Sequence, residues 1–78
     1  MAGTIADPKV IFMAAIKSAA SGIVLAHNHP SANLKPSQAD INLTRKLKSG
    51  GDLLDLAVLD HLIISSEGFY SFADEGLL

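Results

Sequence analysis

The 78-residue chain contains no cysteine and no tryptophan, and its only glutamates, Glu67 and Glu75, lie near the C-terminus. The absence of cysteine excludes disulfide bonds and thiolate metal sites. The chain also lacks a basic excess, because six Lys and Arg residues against eight Asp and Glu residues give a net charge of -2. Nucleic-acid-binding domains usually present a basic face. Direct contact with nucleic acid is therefore not expected.

Long hydrophobic runs are missing as well. The longest run near the N-terminus, residues 10–16, lies between Lys9 and Lys17 and is far shorter than the roughly 20 residues of a membrane helix. Asp7 and Pro8 precede it, where a signal peptide would carry basic residues. These features predict a cytoplasmic protein without a membrane partner.

Apolar residues are nonetheless abundant, at 49% of the chain. A domain this small buries only roughly 60% of its unfolded surface, so we expect apolar surface to stay uncovered. Uncovered apolar surface and open strand edges favour association with another chain. We therefore expect a homo-oligomer that forms through an exposed sheet edge or through the first helix.

The apolar pattern and the turn residues predict an α/β fold with the element order α-β-α-β-β and its sheet between helices in three layers. Asp7 and Pro8 are typical of the start of a helix. Gly50 and Gly51 are expected to end the second helix. The predicted helices span residues 9–20 and 37–49, and the predicted strands lie within residues 23–26, 56–65 and 69–72.

Two of the three histidines, His27 and His29, are separated by one residue at the end of the first predicted strand. Residues i and i+2 of a strand face the same side, so both imidazoles can be directed at one point. Asp40 lies in the first turn of the second predicted helix. Pro30 and Pro36 stiffen the loop that connects the histidines to this helix. Two imidazoles and a carboxylate leave one tetrahedral position open, which is typical of a catalytic zinc site.

Each part of this pattern also has a simpler interpretation. Ser37 and Asp40 form the S-x-x-D pattern of a helix capping box, and a histidine at a strand end is usually a hydrogen-bonded polar residue. Neither explains why both features occur together. Iron oxygenases and TIM-barrel hydrolases can use similar histidine patterns, but this chain is too short for a jelly roll or a barrel of about 250 residues. A metal site is therefore the preferred interpretation.

The motif H-x-H-x7-S-x2-D, formed by His27, His29, Ser37 and Asp40, resembles the JAMM signature of JAB/MPN-type metalloproteases. More specifically, AHNHPSANLKPSQADINLTRKL and LLDLAVLDHLIISSEGFYSF resemble the JAB domain of the bacterial RadC family, as does the opening GTIADPKVIFMAAIKSAAS. The resemblance covers residues 3–72. It implies a JAB/MPN (cytidine-deaminase-like) fold.

The resemblance also implies a chemistry. His27, His29 and Asp40 would be the ligands of Zn²⁺, and Ser37 would hydrogen-bond the oxyanion of a tetrahedral intermediate. The implied function is that of a zinc-dependent metallopeptidase or isopeptidase-type hydrolase, in which activated water attacks an amide carbonyl of a peptide or protein. The alternative is a catalytically inert JAB-fold binding or scaffold module with a link to DNA repair.

The sequence departs from the family pattern in two respects. The family uses a glutamate upstream of H-x-H as general base, whereas both glutamates here are downstream and Asp7 is the only acid before His27. The leading strands of the family would precede Gly3. We therefore expect one RadC-like JAB/MPN domain over residues 1–78 that lacks its N-terminal strands and has little activity alone.

His61, within Leu59-Asp60-His61, is a further candidate, because the resemblance includes this L-D-H sequence. A strand histidine paired with a neighbouring aspartate is more often structural than functional. Tyr70 is most simply a half-buried aromatic residue of the last strand.

Overall fold

The computed structural model describes residues 7–29 and 33–78. Pro30 and the opening residues 3–6 lie outside the described residues. The chain forms two helices, α1 (Pro8–Lys17) and α2 (Gln38–Leu53), and three strands, β1 (Gly22–Asn28), β2 (Ala57–Ser65) and β3 (Gly68–Ser71). The α/β class and the order α-β-α-β-β are confirmed.

The three strands form one mixed sheet in the order β1-β2-β3, with β1 parallel to β2 and β2 antiparallel to β3. Because β1 and β2 are parallel, their carboxyl ends meet at one end of the sheet. The register shifts between Ile23 and Val24, which pair with Val58 and Asp60 and leave Leu59 unpaired. A shift of one residue moves all later side chains to the other face, and it therefore places His61 on the face that His27 occupies.

The core lies between the sheet and α2, which packs against β2, while α1 packs against α2. Its fully buried apolar side chains are Leu47, Ile63 and Phe72. The opposite face of the sheet is open and carries four exposed apolar side chains, Val24, Leu59, Ile64 and Phe69. Within residues 7–29 and 33–78 both helices therefore lie on one side, and the side that a third layer would cover is exposed.

The prediction that Gly50 and Gly51 end the second helix is wrong, since α2 continues beyond both residues. A Cβ on Gly50 would lie 2.9 Å from the ring of Phe12, and a Cβ on Gly51 would overlap the carbonyl oxygen of Leu56. The two glycines therefore let α1 and the segment before β2 approach α2 closely. The helix ends just before Asp55, which has a left-handed backbone conformation with φ of 56°.

Helix α1 begins as predicted, because the Asp7 side chain accepts a hydrogen bond from the Lys9 backbone N–H at 2.9 Å. Three of its apolar side chains, Val10, Met13 and Ile16, are exposed. Neither helix in the described ranges combines the length and the apolar character that crossing a membrane requires.

Candidate metal centre

The three predicted metal ligands come together where the carboxyl end of β1 meets the N-terminus of α2. Nε2 of His27 lies 3.4 Å from Oδ1 of Asp40, and Nε2 of His29 lies 3.4 Å from Oδ2 of the same residue. One possible ligand atom from each side chain lies within 4.8 Å of the others. These three residues could therefore hold a metal ion.

Each of the two imidazole–carboxylate distances agrees with a pair of ligands on one metal ion. A distance of 3.4 Å is too long for a good N–H···O hydrogen bond. Donor atoms about 2.0–2.1 Å from a tetrahedral zinc ion are, however, roughly 3.3–3.4 Å from one another. The side chains of His27, His29 and Asp40 keep 35%, 20% and 17% of their surface exposed, so solvent reaches the point on which they converge. The donor set thus fits a metal ion with an open coordination position.

The capping box that the sequence indicated is also present at the start of α2. The Ser37 hydroxyl oxygen accepts a hydrogen bond from the Asp40 backbone N–H at 3.0 Å, and Oδ2 of Asp40 accepts one from the Ser37 backbone N–H at 2.8 Å. Capping therefore leaves Oδ1 of Asp40 facing His27. Ser37 is exposed, and its hydroxyl proton is available to donate. A hydrogen bond from this hydroxyl to an oxyanion stays a prediction.

Hydrogen bonds keep Asp40 in its charged form. Burial alone would raise the pKa of Asp40, but the hydrogen bonds from Ser37 and the charges of His27 and His29 outweigh that effect. The pKa of Asp40 consequently lies below its ordinary value of 3.8. A carboxylate that stays ionised at neutral pH is the form that binds a metal.

The backbone of Asn33 sets the orientation of the His29 ring. Nδ1 of His29 lies 3.0 Å from the backbone carbonyl oxygen of Asn33. A carbonyl oxygen can only accept a hydrogen bond, so Nδ1 carries the proton in this contact. Nε2 of the neutral ring then has a free electron pair, and Nε2 is the atom that faces Asp40.

His61, the further candidate from the sequence, lies directly behind the cluster, a position that the sequence did not predict. Its ring is 2% exposed and stacks on Phe72 with 4.5 Å between ring centroids. Nε2 of His61 lies 2.9 Å from Nδ1 of His27, and its Nδ1 contacts the Thr44 hydroxyl. Asp60 accepts a hydrogen bond from the His61 backbone N–H and not from its ring. Burial, and next the charge of His27, lower the pKa of His61 below its ordinary value.

The sequence contained one of the two signals that place Thr44 and His61 behind His27, and it did not contain the other. Thr44 lies one helical turn after Asp40, so both face the same side of α2. The position of His61 depends on the unpaired Leu59, because without that bulge His61 would face away from His27. No simple sequence pattern predicts a bulge at a leucine.

A general base is not found among the described residues that surround the cluster. Glu67 lies in the exposed turn between β2 and β3, Glu75 lies in the exposed turn after β3, and neither joins the three ligands. Asp7 caps α1. Next to the cluster there is a shallow groove of about 360 Å³, lined by Asn28, His29, Ile64, Ser65 and Ser66.

Comparison with known proteins gives the family. A family model described as the RadC-like JAB domain matches residues 1–77. The chain belongs to this family. It is similar to UPF0758 proteins of Flavobacterium johnsoniae (49% identity over 77 residues), Chlorobaculum parvum (45% over 78) and Porphyromonas gingivalis (49% over 76). These matches cover 99%, 100% and 96% of this chain but only 34%, 35% and 34% of the relatives, so the chain spans about a third of their length.

Proposed function

We propose that this RadC-like JAB domain carries the metal site of a zinc-dependent metallopeptidase or isopeptidase-type hydrolase, acting on an amide bond of a peptide or protein. The observation that supports this proposal is the convergence of two imidazole Nε2 atoms on the two oxygens of one carboxylate, each at 3.4 Å. Two nitrogens and a carboxylate with one open position are typical of catalytic zinc.

The chain's residues take distinct roles in this proposal. His27, His29 and Asp40 hold the ion, and the hydrogen bond from Ser37 keeps Asp40 oriented and charged. Bound zinc supplies Lewis-acid activation of water and of an amide carbonyl. The Ser37 hydroxyl, at the electropositive N-terminus of α2, donates a hydrogen bond to the developing oxyanion. The groove beside His29 receives the polypeptide substrate.

The test of the metal site is a zinc titration of the 78-residue chain and of His27→Ala and Asp40→Ala variants. Asp52→Ala is the matched control, because Asp52 is an exposed aspartate on the same helix, outside the cluster. Loss of a direct ligand should weaken zinc binding at least as much as loss of a supporting residue, which typically costs about 10–100-fold. The control should bind like the unaltered chain. Equal affinity in all four proteins would refute the site.

A second candidate function is an inert JAB-fold binding or scaffold module, and one observation favours it. No glutamate among the described residues lies in the cluster, and general acid–base catalysis typically contributes 10²–10⁴-fold. We therefore expect the zinc-loaded chain alone to hydrolyse peptides slowly or not at all. Rapid zinc-dependent hydrolysis by this chain would contradict that expectation.

A cytoplasmic location and a link to DNA repair stay predictions.

We also propose that the chain associates with a second copy of itself. Within the described ranges β1 has a strand neighbour on one side only, so its other edge offers unpaired backbone groups. Exposed Val10, Met13 and Ile16 on α1 add apolar surface that association would cover. Sedimentation equilibrium should give a mass above that of one chain, whereas a folded species of 8.2 kDa would refute the proposal.

A further inference from the structure

A chain of hydrogen-bonding groups leads from the backbone of α2 to the candidate metal ligand His27. The Thr44 hydroxyl lies 2.8 Å from the carbonyl oxygen of Asp40 and also contacts Nδ1 of His61. Nε2 of His61 in turn lies 2.9 Å from Nδ1 of His27. Thr44 and His61 are buried, with 1% and 2% of their surface exposed, so water does not replace the contact between these two side chains.

Counting protons fixes the direction of these hydrogen bonds. The Asp40 carbonyl oxygen can only accept, and the Thr44 hydroxyl has a single proton to donate. If that proton goes to the carbonyl, Thr44 can contact His61 favourably only by accepting a proton from Nδ1 of the ring. If Nδ1 of His61 were unprotonated, one hydroxyl proton would have to serve two acceptors. Both contacts are therefore satisfied when His61 carries its proton on Nδ1.

The same reasoning then applies to His27. A neutral imidazole with a proton on Nδ1 has an acceptor at Nε2. Nε2 of His61 therefore accepts a hydrogen bond from Nδ1 of His27, which must carry the proton of that ring. Nε2 of His27 is left with a free electron pair, and this atom faces Oδ1 of Asp40 at 3.4 Å.

We propose that Thr44 and His61 are positioning residues that hold His27 in its Nδ1-protonated form, with the electron pair of Nε2 directed at the metal position. This inference rests on the proposed metal site. A histidine ring that binds a metal through one nitrogen generally has its other nitrogen anchored by a carboxylate, a carbonyl or water. Here the anchor of His27 is another histidine, whereas the Asn33 carbonyl serves the same purpose for His29.

Three features of the fold hold the anchor rigid. The bulge at Leu59 turns His61 toward His27. Phe72 stacks on the His61 ring with an angle of 10° between the two planes. Asp60 fixes the backbone on both sides of this stack, because it accepts hydrogen bonds from the backbone N–H groups of His61 and of Ala73, the residue after Phe72, at 2.7 and 3.0 Å. Within the L-D-H sequence, Asp60 thus fixes the backbone and His61 orients the candidate ligand His27.

The first test compares Thr44→Val with Thr44→Ser. Valine keeps the branched shape but removes the hydroxyl, whereas serine keeps the hydroxyl. Loss of a supporting partner typically weakens metal binding about 10–100-fold, so we expect Thr44→Val to bind zinc that much more weakly and Thr44→Ser to bind like the unaltered chain. A purely packing role for Thr44 predicts the reverse order. Unchanged zinc affinity in folded Thr44→Val would overturn the inference.

The second test needs neither zinc nor a variant. Long-range ¹⁵N–¹H correlation spectra of the metal-free chain, in mildly alkaline buffer, report which ring nitrogen of each histidine carries the proton. We expect Nδ1 for both His27 and His61, and a proton on Nε2 of His61 would overturn the inference even if Thr44→Val failed to fold. If the spectra agree but the unaltered chain does not bind zinc, the proposed function fails and the hydrogen-bond assignment stands.

Discussion

Two aspartates of this small domain carry similar hydrogen bonds but occupy different surroundings. Asp60, on β2, uses both carboxylate oxygens for protein donors: Oδ1 accepts from two backbone N–H groups, and Oδ2 accepts from the Ser71 hydroxyl at 2.6 Å. Asp40, at the start of α2, accepts from the Ser37 backbone N–H through Oδ2. Its Oδ1 faces Nε2 of His27 at 3.4 Å, which is longer than a good hydrogen bond.

The difference shows how to separate a structural carboxylate from a candidate ligand. Both aspartates have a lowered pKa, so charge alone does not distinguish them. What distinguishes them is the use of their electron pairs, since the protein satisfies both oxygens of Asp60 and directs Asp40 at two imidazoles that are oriented by other partners. We therefore expect Asp40→Asn and Asp60→Asn to change different properties of the protein.

The largest expected effect is on metal affinity. Asp40→Asn removes the anionic ligand but keeps the size of the side chain, so zinc should bind at least about 100-fold more weakly. Asp60→Asn should stay close to the unaltered chain. Competition with a zinc chelator measures both affinities. A larger loss in Asp60→Asn than in Asp40→Asn would break the distinction between the two sites.

An effect of intermediate size is expected on stability without metal. Hydrogen bonds to charged groups contribute about 1.5–3 kcal/mol each, and Asp60 accepts three. We expect Asp60→Asn to lower the free energy of unfolding by about 1–3 kcal/mol. Asp40→Asn, which alters one half of a capping box, should cost about 1 kcal/mol or less. Urea denaturation in the presence of a chelator gives both values, and the opposite order would contradict this account.

The smallest expected effect is on the pH dependence of stability. Burial opposes the lowered pKa of Asp60, but the hydrogen bonds from Ser71, Ala73 and His61 outweigh it. A carboxylate with a lowered pKa stabilises the fold at pH values above its ordinary value of 3.8, and this stabilisation is lost as the pH falls through the lowered pKa. Denaturation at a series of acidic pH values should show a shallower loss in Asp60→Asn. An unchanged slope would contradict the role of Asp60.

Much of this arrangement was predictable because its signals are local. Asp7 and Pro8 begin α1, Ser37 and Asp40 begin α2, and the spacing of His27 and His29 on a strand brings both to one point. Each of these signals acts over a few residues.

The remaining features depend on contacts between distant segments. Gly50 and Gly51 look like a helix end, but they serve close packing against Phe12 and Leu56. His61 resembles a structural histidine until the bulge at Leu59 turns it toward His27. Bulges and close approaches are set by tertiary packing, which a short sequence pattern does not report.

The most direct test of the central claim is the zinc X-ray absorption spectrum of the loaded 78-residue chain. We predict one ion per chain with two imidazole ligands and oxygen ligands, at metal–ligand distances of about 2.0–2.1 Å. His27→Ala should reduce the imidazole count to one. A spectrum with three imidazoles would place His61 in the coordination shell, and one with oxygen ligands alone would leave His27 and His29 outside it; either result would contradict the account.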